Sequence, residues 1–111
     1  MSNDVLNALY QTVVNRKENP QEGSYTCYLL DKGIDKILKK VGEECSETII
    51  ASKNGDNAET VYEIADLIYH LTVMMVSQGI AMDDVLKELD KRSAKTGNLK
   101  QVPSGRQKFI N

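Results

Sequence analysis

Two long helical segments joined by a very short connection constrain the fold of this sequence more than any other feature. In residues 34–53 and 57–78, apolar side chains recur at the three- and four-residue spacing of an amphipathic helix, and Asn54-Gly55 separates the two segments. Consecutive helices with so short a connection pack side by side in opposite directions. The sequence therefore predicts a central antiparallel helix pair.

Shorter helices flank this pair, and capping or helix-breaking residues mark their ends. They cover residues 4–17, 25–32 and 82–95. Ser24 is an N-cap residue type, Gly33 and Gly79 suit helix ends, and no alternating apolar run lies between turn residues to indicate a strand. We therefore expect an all-α fold, a small bundle of four to five helices over residues 1–96, followed by a basic C-terminal tail over residues 97–111.

The second long segment is apolar nearly all round between Leu67 and Val76. A helix with that pattern is covered on more than one side, and a helical domain of 111 residues is often completed by oligomerisation. Because the other short helices cannot cover it fully, the sequence predicts a homodimer.

The net charge of −2 is distributed unevenly. The last 21 residues hold six basic side chains and no acidic one, which leaves −8 on residues 1–90. An acidic folded domain argues against a nucleic-acid surface, and neither a signal peptide nor a membrane span is present, so we expect a cytosolic protein without nucleic-acid or membrane partners. Cys27 and Cys45 form no CxxC pair, and we expect two buried thiols rather than a zinc or redox site.

Two acidic pairs stand out on the long helices. Glu44 and Glu47 are three residues apart on the first, as are Glu63 and Asp66 on the second. Residues at this spacing lie side by side, so two antiparallel helices can bring four carboxylates together. We expect the apolar stripes through Cys45 and Ile49 and through Val61, Ala65 and Ile68 to confront each other, which would leave the acids on a half-exposed face.

Four converging carboxylates require a counter-ion, because two unit charges about 5 Å apart repel by roughly 3 kcal/mol at an effective dielectric of about 20. Hard divalent cations prefer oxygen ligands, and a set of Glu and Asp with a single His favours Mg²⁺, or Mn²⁺ as a substitute, over Zn²⁺. The alternative is that these acids are solubilising charges paired with lysines.

Two stretches of sequence resemble a known enzyme family. The segment from Ser24-Tyr25-Thr26 to Lys40-Val41-Gly42-Glu43-Glu44 closely resembles the opening of the phosphoribosyl-ATP pyrophosphatases. Glu44-x-x-Glu47, followed after fifteen residues by Glu63-x-x-Asp66, is similar to the ExxE and ExxD signature of the wider MazG-like all-α pyrophosphohydrolases. The resemblance covers about residues 5–92.

The resemblance implies an activity and a ligand set. The metal ligands would be Glu44, Glu47, Glu63 and Asp66, and the reaction would release pyrophosphate from phosphoribosyl-ATP to leave phosphoribosyl-AMP, the second step of histidine biosynthesis. Glu43 or another acid of the cluster would accept the proton. A sister enzyme acting on another nucleotide, with the same four acids, and a non-catalytic helical interaction module remain as alternatives.

Candidate substrate contacts lie close to these acids in sequence. Compact ammonium groups suit phosphate oxygens, and the lysines are Lys32, Lys36, Lys39 and Lys40. Pairing with nearby acids is their alternative role. Tyr25 and Thr26 are expected over the base or ribose, with core packing as the alternative for Tyr25. Arg92 is expected to reach phosphates across a dimer interface, and His70 to make a structural hydrogen bond one turn beyond Asp66.

Overall fold

Five helices make up most of the part of the chain that this computed structural model describes, which is residues 2–94, 99–101 and 107–109. They are α1 (Ser2–Glu18), α2 (Tyr25–Lys32), α3 (Ile34–Lys53), α4 (Asn57–Gln78) and α5 (Met82–Ser93). The predicted all-α class is confirmed. Among the described residues, no single helix is long and apolar enough to span a membrane; α4 and α5 together reach that length and composition, but across a bend of 118°.

The helix ends follow the predicted capping chemistry. The Ser24 hydroxyl accepts a hydrogen bond from the Cys27 N–H at 3.1 Å, and the Asp56 carboxylate accepts one from the Glu59 N–H at 3.0 Å. Each satisfies a backbone donor that the helix itself leaves unpaired. Gly79 closes α4 at φ +74°, a left-handed conformation that glycine adopts without strain.

The α3 and α4 helices form the central pair. Glu44 lies beside Asp66 and Glu47 lies beside Glu63, which shows that the two helices run antiparallel. The helices α1 and α2 pack on this pair, and α5 packs on α1. The fully buried core sits at one end of the bundle, where all four of the first helices contribute side chains. Its members are Val13, Leu29, Ile37, Val73 and Val76.

The predicted facing of the two long helices is wrong. In α3, Ile49 is 63% exposed and Cys45 is also exposed, whereas Glu44 is buried. In α4, Val61 is 67% exposed, whereas Glu63 is buried. Helical periodicity locates an apolar face but does not say which element covers it. Around the four acids, the acidic faces turn toward each other and the apolar stripes point outward, whereas Ile37 and Thr72 of the same stripes are buried at the other end of the pair. The expectation of two buried thiols therefore fails for Cys45, and Cys27 is half-buried.

A small hairpin follows the helices. Strands β1 (Leu99–Gln101) and β2 (Gln107–Phe109) pair antiparallel, with Lys100 opposite Lys108. No strand was predicted, so this pair is a correction within an otherwise helical chain. The last helix ends at Ser93 rather than near residue 95. Residue 1 and residues 95–98, 102–106 and 110–111 lie outside the described part, so the predicted division at residue 96 and the predicted basic tail remain predictions.

Candidate metal centre

Four carboxylates lie between α3 and α4, two from each helix. Ligand oxygens of Glu44, Glu47 and Glu63 fall within 4.8 Å of one another. Glu44 belongs to a second such group, with Asp66 and His70. The structure thus brings the four acids predicted as metal ligands to one place, with Glu44 common to both groups. His70, which was predicted to make a structural hydrogen bond one turn beyond Asp66, lies on the same face as that residue.

Two of these carboxylates are removed from water without sufficient partners. Glu44 is 3% exposed and Glu63 is 7% exposed, and the Oε1 atom of each is buried with no hydrogen-bond partner within the described residues. A buried acceptor without a donor is unfavourable, and a buried charge without a counter-charge more so. The donor set is therefore suited to a hard divalent cation, which would occupy the unpaired oxygens.

The electrostatics lead to the same conclusion. Burial raises the pKa of Glu63 to about 7, with further upward contributions from Glu59, Glu44 and Glu47. Burial also raises the pKa of Glu44, and the neighbouring carboxyl of Asp66 raises it further. Without a cation, burial and the neighbouring carboxyls therefore favour the protonated form of both groups.

Lys40 is the basic residue that reaches into the cluster. Its Nζ lies 3.1 Å from Glu43 Oε1 and 3.8 Å from Glu44 Oε2. The hydrogen bond with Lys40 lowers the pKa of Glu43, which is exposed, and the same bond raises the pKa of Lys40. Glu43 therefore lies at the rim as a carboxylate that stays charged, whereas Glu44 lies inside.

A pair of hydrogen bonds joins the start of α2 to α4 next to the acids. His70 is 2% exposed; its Nδ1 lies 2.8 Å from the Asp66 carbonyl oxygen, and its Nε2 lies 3.0 Å from the Tyr25 hydroxyl. A carbonyl only accepts, so Nδ1 carries a proton, and in the neutral imidazole Nε2 then accepts from the Tyr25 hydroxyl. Thr26 and Tyr69 hydrogen-bond through their side-chain oxygens beside this contact. No local sequence pattern predicts the Thr26–Tyr69 bond, because the two residues lie on different helices.

Tyr25 and Tyr28 present an aromatic surface beside the cluster. Their side chains are 46% and 43% exposed, and their rings stack with centroids 6.1 Å apart and planes 22° apart. Tyr69 stacks on Tyr25 with centroids 6.2 Å apart. Tyr25 is therefore not a core residue, and an exposed ring stack of this kind offers a face to a nucleotide base.

The other residues predicted to contact substrate are linked less directly to the acidic cluster. Lys32 lies over the Tyr28 ring, with Nζ 5.8 Å from the centroid. Lys36 and Lys39 are near enough to Glu43 to lower its pKa. Arg92 pairs with Glu88 at 3.0 Å on α5, a helix that packs against α1. The structure therefore does not bring Arg92 to the acids within one chain, and its predicted role depends on a second chain.

A family model described as phosphoribosyl-ATP pyrophosphohydrolase matches residues 6–93, which contain all four acids, Lys40, Tyr25 and His70. The match ends where α5 ends.

Curated relatives agree with this match over most of the chain. A protein of Limosilactobacillus fermentum named phosphoribosyl-ATP pyrophosphatase is 56% identical over 98 residues, which is 88% of this chain and 92% of that protein. A protein of Clostridium botulinum (strain Hall) with the same name is 54% identical over 98 residues, 88% of this chain and 89% of that protein.

Relatives named as bifunctional proteins are longer than this chain. The histidine biosynthesis bifunctional protein HisIE of Caldanaerobacter subterraneus subsp. tengcongensis is 56% identical over 92 residues, which is 83% of this chain but 45% of that protein. This chain thus spans a little under half of that relative.

Proposed function

Because this chain belongs to the phosphoribosyl-ATP pyrophosphohydrolase family, we propose that it hydrolyses phosphoribosyl-ATP to phosphoribosyl-AMP and pyrophosphate, the second step of histidine biosynthesis, with Mg²⁺ as its cofactor. The observation that carries the metal dependence is the pair of buried Oε1 atoms of Glu44 and Glu63, which have no partner in the described part of the chain. Mn²⁺ offers the same preference for oxygen ligands and is the expected substitute.

Glu44, Glu47, Glu63 and Asp66 would hold the metal in this proposal. When bound, Mg²⁺ neutralises phosphate oxygens and makes water a better nucleophile. His70 Nδ1 lies 3.4 Å from Asp66 Oδ1, and this contact limits the positions that the Asp66 side chain can take.

The remaining groups at the rim would bind substrate and move the proton. Lys40, with Lys32, Lys36 and Lys39, would contact phosphate oxygens, and Tyr25 with Thr26 would lie against the base or ribose. Glu43 is suited to accept a proton because its hydrogen bond with Lys40 lowers its pKa and keeps it ionised.

The proposal extends to a cytosolic homodimer with a small nucleotide as its substrate. The outward face of the central pair is apolar on both helices, which favours its burial against a second copy of this chain. Its exposed members are Leu38, Ile49, Ile50, Val61, Tyr62, Ile64 and Ile68.

The direct test is a Mg²⁺-dependent assay of pyrophosphate release that compares phosphoribosyl-ATP with ATP, dCTP and dUTP. We expect release from phosphoribosyl-ATP at the highest kcat/KM. Preferential release from a deoxynucleotide would instead identify a sister enzyme of the same fold, and no release from any of them would support the interaction module.

The metal-free protein should lose stability as the pH rises from about 5 to 8. Folded Glu63 keeps its proton up to a pKa of about 7, whereas the ordinary value is 4.5, so the folded state binds more protons in this window and deprotonation disfavours it. Thermal melts at several pH values, with and without Mg²⁺, measure this. Saturating Mg²⁺ should remove the decline, since the cation favours the ionised form. A melting temperature that falls equally steeply in Glu63→Gln would contradict this assignment.

Tyr25→Phe should lower kcat/KM for phosphoribosyl-ATP by about three- to tenfold, because a hydrogen bond of this kind contributes about 1 kcal/mol. The variant keeps the aromatic ring and removes the hydroxyl that donates to His70 at 3.0 Å. Tyr10→Phe is the matched control, because it removes a hydroxyl that donates to the Ile80 carbonyl at 2.8 Å, outside the acidic cluster. Equal kinetics for the two variants would show that the contact with His70 has no part in positioning Tyr25.

A further inference from the structure

A cavity of about 850 Å³ lies between the end of α1, the connection that follows it, and α2. Its wall includes Arg16, Lys17, Tyr25 and Tyr28, and Ser77 of α4. The volume is within the range of sites for small molecules, roughly 300–1,000 Å³. Neither the four acids nor Lys40 line it, so it is separate from the metal centre.

Tyr25 belongs to both places. Its ring lines the cavity, while its hydroxyl bonds to His70 beside Asp66. The length of α4 shows how far the cavity extends from the acids. Asp66 and Ser77 are eleven residues apart, and a helix rises about 1.5 Å per residue, so Ser77 lies about 16 Å along the helix from Asp66. The cavity therefore begins at the aromatic rim of the acidic cluster and extends away from it.

The wall of the cavity is suited to an anion. It holds two basic side chains, Arg16 and Lys17, against one acid, Asp31. The described residues provide no carboxylate partner for either base, and the guanidinium of Arg16 donates to the neighbouring side chain of Asn15 at 3.1 Å. A guanidinium matches the geometry of phosphate with two parallel donors, and an ammonium adds a compact charge. The sequence analysis assigned neither residue a role.

The proposed substrate has a group that this cavity would fit. Phosphoribosyl-ATP differs from ATP by a second ribose 5-phosphate attached to the purine, so it carries phosphate on both sides of the base. The triphosphate belongs at the metal centre. The second phosphate needs cations elsewhere, beyond a surface that holds the purine. Tyr25, which stacks on Tyr28 in the cavity wall, also reaches His70 beside the acids.

We propose that this cavity is the subsite for the added ribose 5-phosphate group, with Arg16 and Lys17 contacting its phosphate and the Tyr25–Tyr28 stack holding the purine. This inference rests on the proposed function. It assigns the discrimination between phosphoribosyl-ATP and ATP to residues other than the four acids, on α1 and on α2.

The test compares Arg16→Ala and Lys17→Ala with the matched control Lys53→Ala, an exposed lysine at the end of α3. We expect each cavity variant to raise KM for phosphoribosyl-ATP by about tenfold with kcat within about twofold, since a charged hydrogen bond contributes about 1.5–3 kcal/mol. The inhibition constant of ATP should not change, because ATP lacks the added phosphate.

A substrate analogue that lacks only this phosphate sharpens the test. Wild type should use the analogue with a KM at least about tenfold above that for phosphoribosyl-ATP, because the analogue loses the contacts with both bases. Arg16→Ala should not raise the KM for the analogue any further, as in a double-mutant cycle. The subsite would be overturned if the cavity variants bound the analogue, ATP and phosphoribosyl-ATP more weakly by the same factor. Unchanged KM values would overturn it as well. If wild type does not hydrolyse phosphoribosyl-ATP at all, the proposed function fails, and the subsite fails with it.

Discussion

Replacing Glu44 by Gln should lower kcat/KM for phosphoribosyl-ATP by at least about a hundredfold at saturating Mg²⁺. Glu44 belongs to both ligand groups, and loss of a residue that merely supports a metal ligand already costs about 10- to 100-fold. The amide is close in size to the carboxylate but supplies no charge and only one acceptor. Asp66→Asn should behave similarly, and pyrophosphate release under initial-rate conditions measures both.

The same variants should stay folded, so their loss of activity would not result from unfolding. Glu44 is buried beside Asp66 and Glu63 without enough partners, so Glu44→Gln should melt at an equal or higher temperature than wild type when no metal is present. The matched control for Asp66→Asn is Asp83→Asn, at an exposed position on α5 that pairs with Lys87. A folded Glu44→Gln protein with near-normal activity would contradict the assignment of the acids as metal ligands.

The helix boundaries and the convergence of the acids could be predicted because each depends on local chemistry. Ser24 caps α2 and Gly79 closes α4, and both act through hydrogen bonds to residues within one turn. The pairs at three-residue spacing follow from helix geometry alone, and the short connection after Asn54 forces the two helices to be neighbours.

The orientation of the long helices could not be predicted in this way. Each helix has an apolar stripe and an acidic face, and the usual assumption is that the stripe faces the core. Here the acidic faces meet inside one chain, at Glu44 and Glu63, whereas Ile49 and Val61 remain exposed. The bond from Tyr25 to His70 spans 45 positions in the sequence, and such a contact depends on how α2 is packed rather than on any local pattern.

Because α3 and α4 turn apolar side chains outward, we expect this chain to form a homodimer. Wild type should have about twice the chain mass by light scattering at micromolar concentration, because α3 and α4 expose several large apolar side chains of the kind that protein interfaces cover. Val61→Asp places a charge on that face and should produce a chain of single mass, with activity reduced by at least about tenfold.

Val61→Asp has a close control in Val5→Asp. Val61 is 67% exposed and Val5 is 69% exposed, but Val5 lies on α1, away from the outward face of the central pair. In a lone chain both substitutions would be surface changes within about 0.5 kcal/mol of neutral. In a dimer only Val61→Asp would bury an unpaired charge, which costs several kcal/mol and shifts the equilibrium toward single chains. Identical masses and activities for the two variants, or a fully active wild-type monomer, would mean that the outward face stays exposed to water.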